Sequence, residues 1–235
     1  MKLEYLYPEL GNLFGDGANL RYLARCLPQA EITETRRGDV PAFVSDPEVA
    51  FLYAGPMTER GQRIALEALR PYAAALRDRL EGGLHALFTG NAMELPGRVI
   101  HTDEGDLEGL GLLELESRRT ITRRYNGFFL GDADGIEITA FNSRFSRTTP
   151  GTDVQGFARV VRGIGLEEGC AFEGYRFHNL VGTYLLGPLL VLNPLLTQRL
   201  LQSMGFAEEP ACFAEAMEAY RARLAEFKDK RRKLD

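Results

Sequence analysis

Short apolar runs and amphipathic stretches alternate along the first part of the chain. Apolar runs typical of buried strands lie at 3–7, 30–35, 49–54 and 84–88. Apolar residues at three- and four-residue steps predict helices at 19–26, with Asp16 as its N-cap, and at 59–80. This alternation predicts a parallel sheet with helices on both faces. A ligand site is then expected beyond the strand ends, at residues 53–56 and 89–91.

The pattern changes after residue 99, where Gly, Asp and Asn turns separate short strands predicted at 112–115, 119–124, 136–141, 157–161 and 175–184. Helices follow at 195–204 and 211–232, the second with the basic run KDKRRK at its end. That run is typical of a solvated helix end, and an acidic partner surface is the alternative. We therefore predict an α/β fold: a flavodoxin-like three-layer sandwich with a largely parallel central sheet and an antiparallel extension, in one domain spanning 1–235.

Composition and charge narrow the classes of function. The 235 residues carry a net charge of −5, which argues against a nucleic-acid partner. The most apolar stretch, 180–201, contains prolines and polar residues that argue against a membrane span, and the chain does not open on a secretory leader. We expect a cytoplasmic protein. The cysteines (Cys26, Cys170 and Cys212) form no CxxC pair, so the sequence predicts reduced thiols and neither metal nor cofactor.

The segment GGLHALFTGNAMELPG at 82–97 is typical of a strand, a tight turn and the start of a helix at 92–95. Such an elbow lifts one side chain above the edge of a sheet and points backbone N–H groups at it. A cysteine or serine at the tip would be a nucleophile beside an oxyanion hole. Here the tip is Thr89, Gly90 and Asn91, none of which is a good nucleophile.

Three further segments are similar to a known family. They are LYPELGNLFGDGAN at 6–19, GLEEG at 165–169 with EGY at 173–175, and GTYLLGPLL at 182–190 with NP at 193–194. Together they resemble the class I glutamine amidotransferase domains of the cobyric acid synthase (CobB/CobQ) type, and within them the GatD-type glutaminase subunits. The similarity runs from residue 6 to about 201, and it implies the fold predicted above.

The resemblance places the family's catalytic cysteine on Gly90, or on Thr89 or Asn91 if the register slips by one, and its catalytic histidine on Leu186. Hydrolysis of glutamine needs a thiolate to attack the amide and a histidine to move the proton. Glycine and leucine supply neither. The sequence therefore predicts no catalytic residue at this site, and the pattern favours a natural pseudoenzyme.

Ligand binding without reaction stays open. The segment FNSRFSRT at 141–148 matches the family's FENHGGRT loop, and the resemblance implies that Arg147 holds a charged group of the ligand. We name Thr89, Asn91, Arg147, Tyr53 and Gly55 as possible ligand-binding residues, with Tyr53 and Gly55 in the loop that faces the elbow.

Three functions follow from these observations. The first is an inactive amidotransferase-like subunit of a bacterial cell-wall pathway, with the Mur-ligase-type partner that the resemblance implies. The second is a regulatory module that binds a small amino acid or carboxylate. The third is an enzyme, either with different chemistry around Thr89, Asn91 and Glu94 or with a relocated nucleophile such as Cys170 near His178. The missing pair favours a protein without enzymatic activity.

Overall fold

The structure, a computed structural model, describes residues 1–231. Its strands in chain order are β1 (Lys2–Leu6), β2 (Glu31–Thr35), β3 (Val49–Ala54), β4 (His85–Thr89), β5 (Val99–Thr102), β6 (Gly105–Glu108), β7 (Leu115–Arg119), β8 (Tyr125–Ala133), β9 (Ile136–Arg144), β10 (Ser146–Pro150), β11 (Gln155–Arg162), β12 (Phe172–Phe177), β13 (Leu180–Thr183) and β14 (Leu185–Leu186). Its α-helices are α1 (Ala18–Cys26), α2 (Glu59–Leu69), α3 (Ala73–Glu81), α4 (Leu189–Leu192), α5 (Pro194–Ser203) and α6 (Phe213–Lys228).

The central sheet has a parallel part and an antiparallel part. Its order is β14-β9-β8-β11-β12-β13-β4-β3-β1-β2, and the pairs from β13 to β2 are parallel. The pairs from β14 to β13 are antiparallel. A second sheet, β10-β7-β5-β6, lies beside it. The predicted α/β fold with an antiparallel extension is confirmed.

Hydrophobic residues are buried on both faces of the parallel strands. Leu52 of β3 packs into a cluster with Leu66 of α2 and Leu76 of α3, whereas its neighbour Phe51 packs into a cluster with Leu20 of α1 and Leu189 of α4. Successive side chains of a strand point to opposite faces, so one apolar run serves both layers. The predicted arrangement of helices on both faces is therefore correct.

Several predicted elements have different boundaries. The helix at 59–80 is interrupted by a 3₁₀ turn at Arg70–Tyr72, because Pro71 has no N–H to donate to the preceding turn. The strand predicted at 119–124 is wrong, since β7 ends at Arg119. The strand predicted at 175–184 is a hairpin of β12 and β13 that reverses at His178, whose φ is 49°.

The C-terminal part is helical, as predicted. Helix α6 ends at Lys228, before the predicted limit at residue 232, and residue 232 itself lies outside the described residues. Within residues 1–231, no helix combines the length and the apolar character needed to traverse a bilayer.

Asn193 connects α4 and α5 to the central sheet. Its side-chain Oδ1 accepts from the Thr139 N–H at 2.9 Å, and its Nδ2 donates to the carbonyl oxygens of Thr139 and Leu189 at 2.9 and 2.8 Å. The side chain is fully buried. These three bonds fix the start of α5 against β9.

We expect Asn193→Ala to lower the free energy of unfolding by about 2–4 kcal/mol, because it leaves buried backbone groups without partners. Urea titration followed by circular dichroism measures the change. Asn179→Ala is the matched control, because exposed Asn179 donates a single bond to Gly83. A loss at Asn193 no larger than that at Asn179 would contradict this account.

Candidate functional site

The elbow forms where it was predicted, with a shorter turn. β4 ends at Thr89 and a 3₁₀ turn follows at Gly90–Glu94, so the helix expected at 92–95 is wrong. The array of N–H groups at an α-helix N-terminus is therefore not formed here. Gly90 has a φ of 57°, in the left-handed region that favours glycine.

Gly90 and Leu186 face each other across the elbow. A Cβ built on Gly90 would lie 3.5 Å from Leu186 Cδ2, so the two positions matched to the family cysteine and histidine are neighbours in space. The same Cβ would lie 2.5 Å from the Cβ of Pro56. Pro56 thus occupies the space that a side chain at position 90 would need.

A buried carboxylate, Asp16, supports the elbow from below. Its Oδ2 accepts from the hydroxyls of Thr89 at 2.5 Å and Tyr53 at 2.8 Å, and its Oδ1 accepts from the Gly187 N–H at 3.4 Å. Burial raises the pKa of Asp16, and these bonds act against the rise. The prediction of Asp16 as an N-cap is wrong: Gly17 is the N-cap of α1, and the Asp16 side chain points into the core.

Asn19 ties the same loop to the segment after β14. Its Oδ1 accepts from the Leu190 N–H at 2.8 Å, and its Nδ2 donates to the Asp16 carbonyl at 2.9 Å. The motifs at 6–19 and 182–190 therefore bind each other through Asp16 and Asn19. Both motifs have a structural role that is independent of catalysis.

Of the five predicted ligand-binding residues, Tyr53, Gly55 and Thr89 lie together beneath the elbow, where the Tyr53 and Thr89 hydroxyls are 3.0 Å apart. Thr89 and Tyr53 are fully buried and bonded to Asp16, and Gly55 packs against Gly11 so closely that a Cβ on it would lie 2.3 Å from the Gly11 carbonyl oxygen. The amide of Asn91 donates to the carbonyl of Met57 and accepts from its N–H, each at 2.9 Å.

A cavity of about 90 Å³ remains at the elbow. Of the five predicted residues only Asn91 lines it. The guanidinium of Arg147 instead lies 5.7 Å from the centre of the Tyr125 ring. Ligand binding by these five residues stays a prediction.

A second polar network beneath the elbow was not predicted. Glu94 accepts from Gln62 Nε2 at 2.9 Å and from the Tyr184 hydroxyl at 3.0 Å, and Arg119 lies 3.6 Å away. All four side chains are buried. Gln62 is a polar residue on the buried face of the amphipathic helix α2. That position was the one feature of the sequence that could have indicated this network.

Glu173 is a further buried acid. Its carboxylate accepts from the Thr183 hydroxyl and, at 2.8 Å, from the Tyr184 N–H. Burial raises the pKa of Glu173 to about 7, with hydrogen bonds and the Arg144 charge acting in the opposite direction. Glu173 thus links the second and third motifs.

Reactive groups elsewhere are not joined into a catalytic pair. Burial raises the pKa of the Cys26 thiol, which accepts from the Ala211 N–H. The His178 ring contacts the Phe177 ring edge to face, and no hydrogen bond joins Cys170 to a histidine among residues 1–231. In the same part of the chain, no three metal-ligating side chains cluster.

The raised pKa of Glu173 predicts a pH-dependent stability. The folded protein keeps the proton of Glu173 up to pH about 7, whereas an unfolded glutamate releases it near its ordinary pKa of 4.5. The contribution of Glu173 to the free energy of unfolding is therefore complete below that ordinary pKa. It falls by about 3 kcal/mol as the pH rises through the pKa of the folded state.

We expect Glu173→Gln to flatten this fall, because an amide can accept from Tyr184 and donate to Thr183 without titrating. Urea unfolding at pH values from about 5 to about 8 measures the slope. Glu208→Gln, which changes an exposed glutamate, should follow the wild type. Parallel curves for wild type and Glu173→Gln would refute the assignment.

Comparison with known proteins agrees with the resemblance described above. The chain is 27% identical over 199 residues to the GatD subunit of the lipid II isoglutaminyl synthase (glutamine-hydrolyzing) of Staphylococcus aureus, covering 84% of this chain and 78% of that subunit. It is 26% identical over 211 residues to the GatD subunit of the same synthase of Streptococcus pneumoniae, covering 85% and 78%.

A crystal structure of a glutamine amidotransferase superposes with a TM-score of 0.60 at 16% identity, covering 86% of this chain and 99% of that one. No protein-family model matches the chain. The resemblance is confirmed: the chain is similar in sequence to GatD subunits over most of its length, and its fold is that of the glutamine amidotransferases.

Proposed function

We propose that this protein is a catalytically inactive GatD-like subunit. The observation that carries the proposal is the elbow itself, where Gly90 stands opposite Leu186, and Pro56, in the loop after β3, occupies the space that a side chain at position 90 would need. A glutaminase forms a thioester with glutamine at this position and uses a histidine to move the proton. Gly90 has no side chain, and Leu186 is a buried hydrocarbon without a proton to exchange.

The neighbouring polar groups do not replace the lost pair. The Thr89 hydroxyl donates a hydrogen bond to Asp16, and Glu94 accepts hydrogen bonds from Gln62 and Tyr184. A general base must be free to reach the proton that it removes. These bonds support inactivity over the alternative of different chemistry at the elbow. The raised pKa of Cys26 likewise disfavours a relocated thiolate.

A subunit without catalytic activity would act by binding a partner protein. The relatives are named as subunits of a lipid II isoglutaminyl synthase. We propose a cytoplasmic, non-catalytic subunit that assembles with a Mur-ligase-type protein in peptidoglycan synthesis. The motifs at 6–19 and 182–190 hydrogen-bond to each other through Asp16 and Asn19. These bonds stabilise the fold without a catalytic pair, which supports a role as a scaffold. The basic end of α6, with exposed Lys228, Lys230 and Arg231, is the proposed docking segment.

The test of inactivity is ammonia release from glutamine. We expect the wild type to stay at the background rate, and Gly90→Cys/Leu186→His to stay inactive because the new Cβ meets Pro56. Adding Pro56→Gly makes room for the thiol, and the triple variant should release more ammonia than the double one.

The matched control carries alanine instead of cysteine at position 90 in the triple variant, and it should be inactive. A glutamate-dehydrogenase-coupled assay measures all four proteins. Wild-type turnover at an enzymatic rate, about 1 s⁻¹ or more, would refute the proposal.

The partner is tested by co-expression with a Mur-ligase-type protein and light scattering on the eluted complex. We expect a stable complex that Lys230→Glu/Arg231→Glu weakens by about tenfold, because like charges then face an acidic surface. Arg36→Glu/Arg37→Glu alters two exposed arginines next to β2 and is the control. Separate elution of the two wild-type proteins would exclude the complex.

A further inference from the structure

Two arginines lie directly opposite each other on the second sheet. In the antiparallel pairing of β10 with β7, Arg147 is the partner of Arg118. The side chains of such a pair share one face, with Cβ atoms about 4.5–5.5 Å apart. The adjacent residues Ser117 and Thr148 are buried on the other face, where their hydroxyl oxygens lie 2.8 Å apart. The two arginines therefore point outward, with Arg118 exposed and Arg147 half-buried.

The two positive charges have no counter-ion in the described part of the chain. Like charges that face each other in an antiparallel pair destabilise it. Within residues 1–231, no carboxylate lies at ion-pair distance from Arg118 or Arg147. Each acidic residue of the second sheet on that face has another partner: Glu116 pairs with Arg98, Asp106 with His101 and Glu108 with Arg70. An anion from solution would remove the repulsion.

A third arginine borders the same surface through Tyr125. The guanidinium groups of Arg147 and Arg123 lie 5.7 and 5.3 Å from the centre of the Tyr125 ring. Arg123 also pairs with exposed Glu168 at 2.9 Å. A ring face attracts a guanidinium and leaves the N–H groups at its edge able to donate. Tyr125 thus orients both arginines without neutralising them.

Arg144 borders the same ring but is not part of this surface. Its guanidinium lies 5.8 Å from the centre of the Tyr125 ring. The side chain is only 5% exposed and donates to the Gly165 carbonyl. Its charge acts on the buried Glu173 carboxyl. Arg144 is therefore counted with the interior, and its charge does not face an anion in solution.

The charge of the surface selects the ligand. Arg118, Arg123 and Arg147 contribute three positive charges and Glu168 one negative charge, which leaves an excess of two positive charges in a chain whose net charge is −5. A carboxylate supplies one negative charge. A phosphate monoester carries about 1.5–2 negative charges at pH 7 and three strong acceptor oxygens. Planar guanidinium groups bind such oxygens in pairs.

We propose that Arg118 and Arg147, assisted by Arg123, bind the phosphate monoester group of a small soluble molecule. The phosphate accepts hydrogen bonds from both opposed arginines and so removes their repulsion. Because Arg147 is half-buried, a small molecule reaches it more readily than a headgroup fixed in a flat lipid surface. None of the three arginines lines the elbow cavity, so binding at this surface does not depend on whether the elbow is inactive.

Three soluble probes and one vesicle test the chemistry of the ligand: methyl phosphate, dimethyl phosphate, acetate, and phosphatidylcholine vesicles that contain phosphatidic acid. Ligand-observed NMR titration of the full chain measures the affinity of each soluble probe. We expect methyl phosphate to bind with a Kd of a few millimolar or tighter, roughly as fragments of this size bind. Dimethyl phosphate and acetate carry a single charge and should bind at least about fivefold more weakly. The vesicles should not retain the protein on sedimentation.

Substitutions assign the contacts. Arg118→Gln/Arg147→Gln should weaken the binding of methyl phosphate by about tenfold or more. Arg118→Lys/Arg147→Lys, which keeps the charges without the planar forks, should weaken it less. Arg36→Gln/Arg37→Gln is the matched control, because it removes two exposed arginines next to β2 and should change the affinity by less than about twofold.

Arg118→Gln gives a readout that needs no ligand. Removing one of two opposed like charges should raise the Tm of the free protein by about 1–2 °C. The same variant should lose most of the rise in Tm that saturating methyl phosphate gives to the wild type. Arg37→Gln should leave both values unchanged. A lower Tm for free Arg118→Gln would mean that Arg118 is neutralised within the protein, and it would overturn the proposal.

Four binding results would also overturn it. The first is no saturable binding of methyl phosphate up to about 50 mM. The second is equal affinity for methyl phosphate and for a singly charged probe. The third is retention by the vesicles, which would assign the phosphate to a lipid headgroup. The fourth is an equal loss in the two double glutamine variants, which would show a general attraction of anions to the protein surface.

Discussion

The elbow depends on the hydrogen bonds that the buried carboxylate of Asp16 accepts. This carboxylate joins four segments that are distant in sequence: its own loop, Tyr53 on β3, Thr89 at the end of β4 and the backbone of Gly187. Removing a carboxylate from water is costly unless hydrogen bonds replace the solvent, and here hydroxyl and N–H donors do so. The turn at Gly90 is therefore fixed by contacts beneath it and needs no catalytic group above it.

This arrangement explains how the family resemblance is compatible with the inactive elbow that we propose. The matched segments contain residues that hold the chain together, such as Asn19 bonded to the segment after β14 and Glu173 bonded to Tyr184. Replacement of the side chains that act on a substrate leaves these bonds intact. Similarity at such motifs reports the fold, and chemistry has to be argued from the side chains at the site.

Much of the fold could be predicted from sequence, because apolar runs such as 49–54 are buried on both faces and turns separate them. The neighbourhood of Gly90 and Leu186 also followed from the resemblance. β8 was missed, since Asn126 and Gly127 are typical of turns, yet the strand pairs with β9 along its whole length. The position of Arg144 opposite Tyr125 was beyond prediction, because β8 was missed and with it the register of the hairpin that β8 forms with β9.

Pro56 hinders the evolutionary return of a side chain at position 90. A chain with glycine at 90 and proline at 56 does not accommodate a side chain at position 90 by one substitution, because the new Cβ would lie 2.5 Å from the Cβ of the proline. The loop must change first, and that change alone brings no chemical benefit on which selection could act. Under the proposed function, the pair of Gly90 and Pro56 thereby favours roles in which the protein binds rather than reacts.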